Sequence, residues 1–346
     1  MGLFLVNCRP SLQRPVKERE VNMETANIAS LFTVYLSCRD FAGSTVELKS
    51  RAVKYFVQVF GDIEPGSINY ACAEDYVNFL RKGRAPGAVN TYLRNIKPFF
   101  TWMVRRGKIK TNPFEQIKLL QEDKIYRAPY NGEELARLLK VADLRLKVIS
   151  LLAVCSSMRR TEILNLVVKN IYFDKCCILI NPNEDSETTW GWTIKNHLHA
   201  FVPLPEIVAL PGETINFHNL IVQLMDSLPA KQPYLCLKPQ QYEAQMKLLR
   251  DGKLTYRRRL EPWQNFSRDF RRLRKRAMIE SKSLKDLRAT FATTLAENNF
   301  PLTKTQKAMR HKTPQTTATY YIKHEQQQII DEVNELTRKC YVSTVS

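Results

Sequence analysis

The sequence predicts a mainly α-helical chain with one small antiparallel β-sheet, arranged as a helical N-terminal domain and a mixed α/β C-terminal domain. Three observations carry that prediction. Residues 25–120 place apolar side chains at helical spacing throughout. Between residues 171 and 202 the pattern changes to short β-prone runs, then returns to helical spacing. The 346 residues are enough for two ordinary cores.

Residues 1–24 are polar, carry Pro10 and Pro15 and hold no period, so a flexible leader is expected there; Met1 and Met23 both fit a translation start. Ile28, Leu31, Phe32 and Tyr35 predict a first helix. Ser44 or Thr45 is placed to cap a second, which carries Leu48, Val53, Phe56 and Val57 and stops at Gly61. A third covers 71–80. A fourth, Gly87–Arg106, buries Val89, Leu93, Ile96, Phe100 and Met103; Pro98 is expected to kink it and Gly107 to end it. Its other side bears Arg94, Lys97, Arg105 and Arg106. A solvated basic face accounts for these cations, and so does a grip on a phosphate backbone.

Between Asn112 and Ala128 periodicity weakens and charge rises. The linker is placed at 121–128, which gives domains at 25–120 and 129–325 and a tail at 326–346. Residues 133–141 and 144–155 predict helices, the second apolar on all sides. In SSMRRTEILNL two serines make a tight turn before a helix starting at Thr161. Arg159 and Glu162 stand three apart, close enough for the carboxylate to hold the guanidinium, although surface helices carry such pairs freely. The β-prone runs are Ile171–Phe173, Cys177–Ile180, Trp190–Ile194 and Ala200–Val202, with Lys195 at the hairpin between the last two. An exposed turn lysine is the plain reading; a hairpin lysine can also swing into a neighbouring site as a proton donor.

Helices are predicted near 220–228 and 242–249. Positive charge then rises in YRRRL (256–260) and RDFRRLRKRAM (268–278). Trp263, Phe266, Phe270 and Leu273 give the second run a buried face and leave Arg271, Arg274 and Lys275 on the other; a solvated face accounts for them, but the excess of cations with Asp269 alone opposing it favours phosphate contact. From Ser283 to His324, Leu284, Leu287, Phe291 and Leu295 show helical spacing, so part of the stretch is core. The same stretch holds Arg288, His311, Tyr320 and Tyr321. An arginine, an imidazole and a phenol are the groups needed to break a phosphodiester through a covalent phosphotyrosine without metal. Ile329, Ile330, Val333 and Leu336 give the tail helical spacing, and on the plain reading it folds back on its own domain.

Composition narrows the partner. A net charge of +19 with 44% hydrophobic residues describes a folded protein with a polyanionic partner, nucleic acid ahead of an anionic membrane. No apolar run approaches the roughly 20 residues that span a bilayer, and the N-terminal apolar segment is too short for a secretory signal, so a cytoplasmic protein is expected. The eight cysteines, from Cys8 to Cys340, include no C-x-x-C pair and no metal-ligand spacing to a histidine, so no metal is expected. Neither G-x-x-x-x-G-K-[ST] nor G-x-G-x-x-G occurs, and no cofactor is implied.

Taken together, Arg159 in a turn–helix, Lys195 in a hairpin, Arg288, His311 and Tyr320 nine residues later resemble the tyrosine recombinase (phage integrase) family. SSMRRTEILNL is similar to the family's T-G-L-R-x-S-E box, KDLRATFAT to its H-x-L-R box, and MRHKTPQTTATYY to its L-G-H-x-S-x-x-T-T-x-x-Y box. VNTYLRNIKPFFTWMVRRGKIKTNPF is similar to the end of the family's core-binding domain, and the resemblance covers residues 25–330. Two departures stand out, Lys285 in place of the commoner histidine and Arg310 in place of the usual glycine before His311, while Ser-Ser-Met for Thr-Gly-Leu is a conservative change.

The resemblance implies a SAM-like core-binding domain followed by a catalytic domain. It implies that Tyr320 attacks the scissile phosphate, leaving a 3′-phosphotyrosine and a free 5′-hydroxyl, with Tyr321 as the competing nucleophile. Arg159 and Arg288 would grip the non-bridging oxygens, Lys195 would protonate the departing 5′-oxygen, His311 and Lys285 would manage hydrogen bonds around the phosphate, and Glu162 would support Arg159. The implied partners are double-stranded DNA bearing a crossover site and a homotetramer on synapsed DNA, with the tail docked on a neighbouring protomer and a monomer or weak oligomer off DNA. A type IB topoisomerase-like nicking-closing enzyme and a non-catalytic DNA-binding regulator on the same scaffold are the alternatives. The full set of two arginines, lysine, histidine and tyrosine counts against the regulator, and the tail and helical N-terminal domain favour the recombinase over the topoisomerase.

Overall fold

The computed structural model describes residues 27–122, 128–194, 199–315 and 317–318. The chain divides into two compact units, Met1–Ile125 and Tyr126–Ser346.

In the first unit, α1 (Ile28–Ser37), α2 (Gly43–Phe60), α3 (Tyr70–Arg81) and α4 (Pro86–Arg105) enclose one core. Asn27 caps α1 by accepting the Ser30 N–H at 3.0 Å, and Asn69 caps α3 by accepting that of Cys72 at 3.1 Å. Neither Ser44 nor Thr45 caps α2. The helix starts at Gly43 with Ala42 at the cap, so both hydroxyls lie past the position that reaches the first orphan N–H groups. Gly61 ends α2 in a positive-φ conformation, at +77°, that a side chain would strain. The α4 helix continues through Pro98 to Arg105. Its stripe Leu93, Ile96, Phe99 and Phe100 is fully buried against Phe32, Phe56 and Phe114, with the Phe100 and Phe114 rings 4.8 Å apart. Beneath them Lys49 is only 5% exposed and donates to the Tyr35 hydroxyl at 3.1 Å; burial lowers its pKa.

The second unit is built on α6 (Leu144–Cys155), whose side chains are buried on nearly every face. It packs against α8 (Phe217–Asp226) and α12 (Leu284–Glu297). Asn131 and Glu134 form a capping box at α5 (Gly132–Val141). A short α7 (Arg160–Leu164) follows the turn after α6. Three antiparallel strands come next, β1 (Ile171–Tyr172), β2 (Cys177–Ile180) and β3 (Ala200–Pro203), with Ile178 opposite Val202.

The run Trp190–Ile194 does not form the expected strand. Its side chains turn into the core instead: the Trp190 ring stacks on Tyr234 at 3.8 Å, and its Nε1–H donates to Asn165 Oδ1 at 3.0 Å. With Trp190, Trp192 and Ile194 all buried, the segment is anchored by core contacts rather than by a ladder. A second hairpin, β4 (Ile207–Leu210) with β5 (Glu213–Asn216), was not expected from the sequence. The Pro211–Gly212 dipeptide between them, with Gly212 at φ +74°, is the turn signal that marks it. The remaining helices are α9 (Pro239–Arg250), α10 (Tyr256–Leu260), α11 (Phe266–Arg276) and α13 (Leu302–Met309).

Candidate active site

The site forms where three chain segments meet: the turn after α6, the C-terminal end of α13, and the buried side of α12. Ser157 takes a left-handed conformation (φ 52°) in the turn and is fully buried, and the chain then leads Arg159 into α7. Arg159 gives its backbone N–H to Glu162 Oε2 and its Nη1–H to Oε1, both at 2.8 Å. One carboxylate thus fixes the start of α7 and the direction of the guanidinium together. Glu162 is only 2% exposed. Burial alone would raise its pKa, but the Arg310 and Arg159 guanidiniums and the Arg159 N–H outweigh burial and hold it below the ordinary value.

Helix α13 ends in a Schellman-type turn. The His311 N–H donates back to the Gln306 carbonyl at 3.1 Å, and Arg310 is left-handed at φ 53°, ψ 44°. That geometry leaves the last carbonyls of the helix to be satisfied from outside. Two guanidiniums satisfy them: Arg288 Nη2 donates to the Met309 carbonyl, and Arg159 Nη2 to the Arg310 carbonyl at 3.3 Å. Cations are favoured at the negative end of a helix, so the arrangement is electrostatically consistent as well. Arg288, which is 8% exposed, also donates Nη1 to the Ser157 carbonyl. Arg159 and Arg288 are thereby brought together, on two consecutive carbonyls.

His311 follows directly. Its Nδ1 lies 2.9 Å from the Thr317 hydroxyl, and Thr317 is fully buried. Burial, then the charges of Arg288, Arg159 and Arg310, push the imidazole down to about 4, so it is neutral near pH 7. Lys285 occupies the first turn of α12 with its side chain exposed, three residues before Arg288. Lys195, Tyr320, Tyr321 and the tail residues Ile329, Ile330, Val333 and Leu336 lie outside the described residues.

Of the residues expected to face DNA, Arg94 and Arg105 are exposed in the first unit, Arg94 lying 3.4 Å from Glu122. Lys97 is half-buried and donates to the Ile117 carbonyl; with Arg39, Thr101, Trp102 and Arg105 it lines a cleft of about 300 Å³. In the second unit Arg271 and Lys275 are exposed on α11. Arg274 is not on that outer face. It stands one helical turn after Phe270, on the same side of the helix, and donates to the Lys282 carbonyl at 2.9 Å.

Sequence reasoning missed Ser157, whose carbonyl accepts from both Arg288 and Arg310, and Thr317 beside the imidazole. No pattern marks a carbonyl acceptor, because it can belong to any residue type. Thr317 had a signal, since it is one of the paired threonines in the box after His311. No helix among the described residues is long and apolar enough to cross a membrane.

Comparison with curated proteins finds no match. Solved structures do match. The chain is similar to the Tn1549 transposon integrase (residues 82–397) in complex with circular intermediate DNA, at 16% identity and a TM-score of 0.63, covering 86% of this chain and 95% of that one. It is similar to a lambda integrase (residues 75–356) dimer bound to a COC′ core site, at 15% identity and a TM-score of 0.62, covering 85% and 95%. A lambda integrase tetramer bound to a Holliday junction is similar at 16% identity and a TM-score of 0.62, covering 85% and 77%. At these identities the likeness is one of fold. The model of the phage integrase family matches residues 130–328, more than half of the chain, and that span holds Arg159, Glu162, Arg288 and His311. The chain belongs to the phage integrase family of tyrosine recombinases.

Proposed function

We propose that this protein is a site-specific DNA recombinase that cuts and rejoins DNA through a 3′-phosphotyrosine. The observation that carries the reading is the anchoring of Arg159 and Arg288 on the adjacent Arg310 and Met309 carbonyls, with His311 next in the chain. Two guanidiniums held in fixed directions suit a phosphodiester whose charge grows as the phosphorus becomes five-coordinate.

In this reading the Tyr320 phenolic oxygen gives its proton to neutral His311 and bonds to phosphorus while the bond to the 5′-oxygen breaks. Lys195 supplies the proton that the 5′-oxygen needs. His311 and Lys285, the latter on the first turn of α12, are assigned the hydrogen bonds around the phosphate. Glu162 keeps Arg159 aimed. The phosphotyrosine conserves the bond energy, so a 5′-hydroxyl from a second duplex reverses the step without a nucleotide cofactor. Residues 25–120 form the core DNA-binding domain and 129–325 the catalytic domain, joined by the linker 121–128. The tail 326–346 contacts a neighbouring protomer in a homotetramer on synapsed double-stranded DNA.

The test uses a pool of nicked duplexes with a randomised core, from which covalently captured species are enriched and sequenced. Two labelled duplexes of the enriched sequence are then mixed with the protein. Recombinant product is expected. Capture with relaxation of supercoils but no exchange would point to a nicking-closing enzyme, and binding without capture to a DNA-binding regulator; either result contradicts the proposal.

A further inference from the structure

Arg310 does more than follow the end of a helix. Its Nη2 lies 3.0 Å from Glu162 Oε2 and donates to the Ser157 carbonyl at 2.9 Å. Those two groups are the acceptors that the other guanidiniums use: Glu162 holds Arg159, and the Ser157 carbonyl takes Arg288. A single side chain therefore ties together the supports of both arginines. It does so from an unfavourable position. The backbone at Arg310 is left-handed, which glycine adopts without cost and other residues do not, and its Nε is buried without a hydrogen-bond partner among the described residues.

We propose that Arg310 is a positioning residue of the phosphate site, locking Glu162 and the Ser157 carbonyl so that Arg159 and Arg288 are held in their directions before DNA arrives. This rests on the recombinase reading for its effect on cleavage, but its effect on the free protein does not depend on that reading. The groups facing His311 are Arg288 from α12, Arg159 from α7, Arg310 itself, and the Thr317 hydroxyl. Removing one cation from this set should let the imidazole hold its proton to higher pH, through the lost charge itself, so the titration reports that Arg310 faces His311 and the capture rate reports whether it positions the other two arginines.

The experiment compares wild type with Arg310→Gly, Arg310→Lys and Arg310→Gln. Three properties are measured: thermal melting, the His311 titration by NMR in the free protein, and the rate of covalent capture on a nicked duplex. Glycine relieves the left-handed strain, so R310G is expected to fold. Its capture rate should nonetheless fall about tenfold or more, and its His311 pKa should rise. R310K should recover the wild-type titration and part of the rate, whereas R310Q should recover neither. Wild-type capture by R310G overturns the proposal, as does an unchanged His311 titration in that variant. If R310G melts far below wild type, R310K and R310Q decide: equal capture by the two would assign Arg310 to stability alone and overturn the proposal. If the wild type captures no DNA, the recombinase reading fails by itself, and the Arg159 and Arg288 guanidinium N–H signals in the free protein still decide the role of Arg310: they should move in R310G and R310Q, and unmoved signals overturn the proposal.

Discussion

The Arg310 guanidinium sits 3.0 Å from the Glu162 carboxylate, which also holds Arg159, so one buried acid is shared by two arginines from distant parts of the chain. Removing that acid should be felt in stability before chemistry. Glu162→Gln keeps the shape but leaves Arg159 and Arg310 without their counter-charge. A loss on the order of 3–5 kcal/mol is expected, the usual result of breaking a buried ion pair from one side. Urea denaturation of wild type and variant measures it, and a change within experimental error would show that water already screens the cluster.

Arg288 spans the Ser157 and Met309 carbonyls with the two ends of its planar fork. A lysine keeps the charge but presents one compact ammonium in place of that fork. Arg288→Lys should therefore slow covalent capture by about a hundredfold or more, equivalent to roughly 3 kcal/mol of barrier. Single-turnover kinetics on a nicked duplex reads this directly; near wild-type capture would mean that charge alone suffices.

His311 gives a pH signature. Its folded pKa, about 4, lies below the ordinary histidine value of 6.5, because of burial and then the neighbouring guanidiniums. Between those values the unfolded chain binds the proton that the folded one does not, so stability from this group is present above pH 6.5 and is lost as pH falls towards 4. His311→Gln removes the titration. Its melting temperature should consequently drop less than that of wild type over the same interval, and parallel melting curves against pH would contradict the assignment.

Trp190 tests the core that supports the site. Trp190→Phe keeps an aromatic ring against Tyr234 but strands Asn165 Oδ1, which now accepts the indole N–H at 3.0 Å. An unsatisfied buried acceptor costs on the order of 1–3 kcal/mol, and the smaller ring adds a packing loss. Chemical denaturation monitored by far-UV circular dichroism should show the shift.

The helices of both units were legible because their buried faces repeat at a period that few other structures tolerate: Leu93, Ile96 and Phe100 on α4, and Phe266, Phe270 and Leu273 on α11. The strand expected at Trp190–Ile194 fails for a tertiary reason. Alternation shows that side chains are buried, but not whether a neighbouring strand or a ring such as Tyr234 does the burying. In the site, Arg159, Glu162, Arg288 and His311 stood out as side chains with chemistry, and the structure brings these four together. What holds them was not legible, since the Ser157, Met309 and Arg310 carbonyls are backbone groups common to every residue. Arg310 was visible only as a replacement for glycine. Its work became apparent once the left-handed turn placed its side chain beside Glu162.

A tyrosine delivered to these arginines is proposed to carry the DNA strand. Wild type, Tyr320→Phe and Tyr321→Phe should each be incubated with a nicked duplex, digested with trypsin and analysed by mass spectrometry for a nucleotide-bearing peptide. An adduct on Tyr320 is expected in wild type and in Tyr321→Phe, and none in Tyr320→Phe. An adduct that survives in Tyr320→Phe, or that is lost only in Tyr321→Phe, would contradict that assignment.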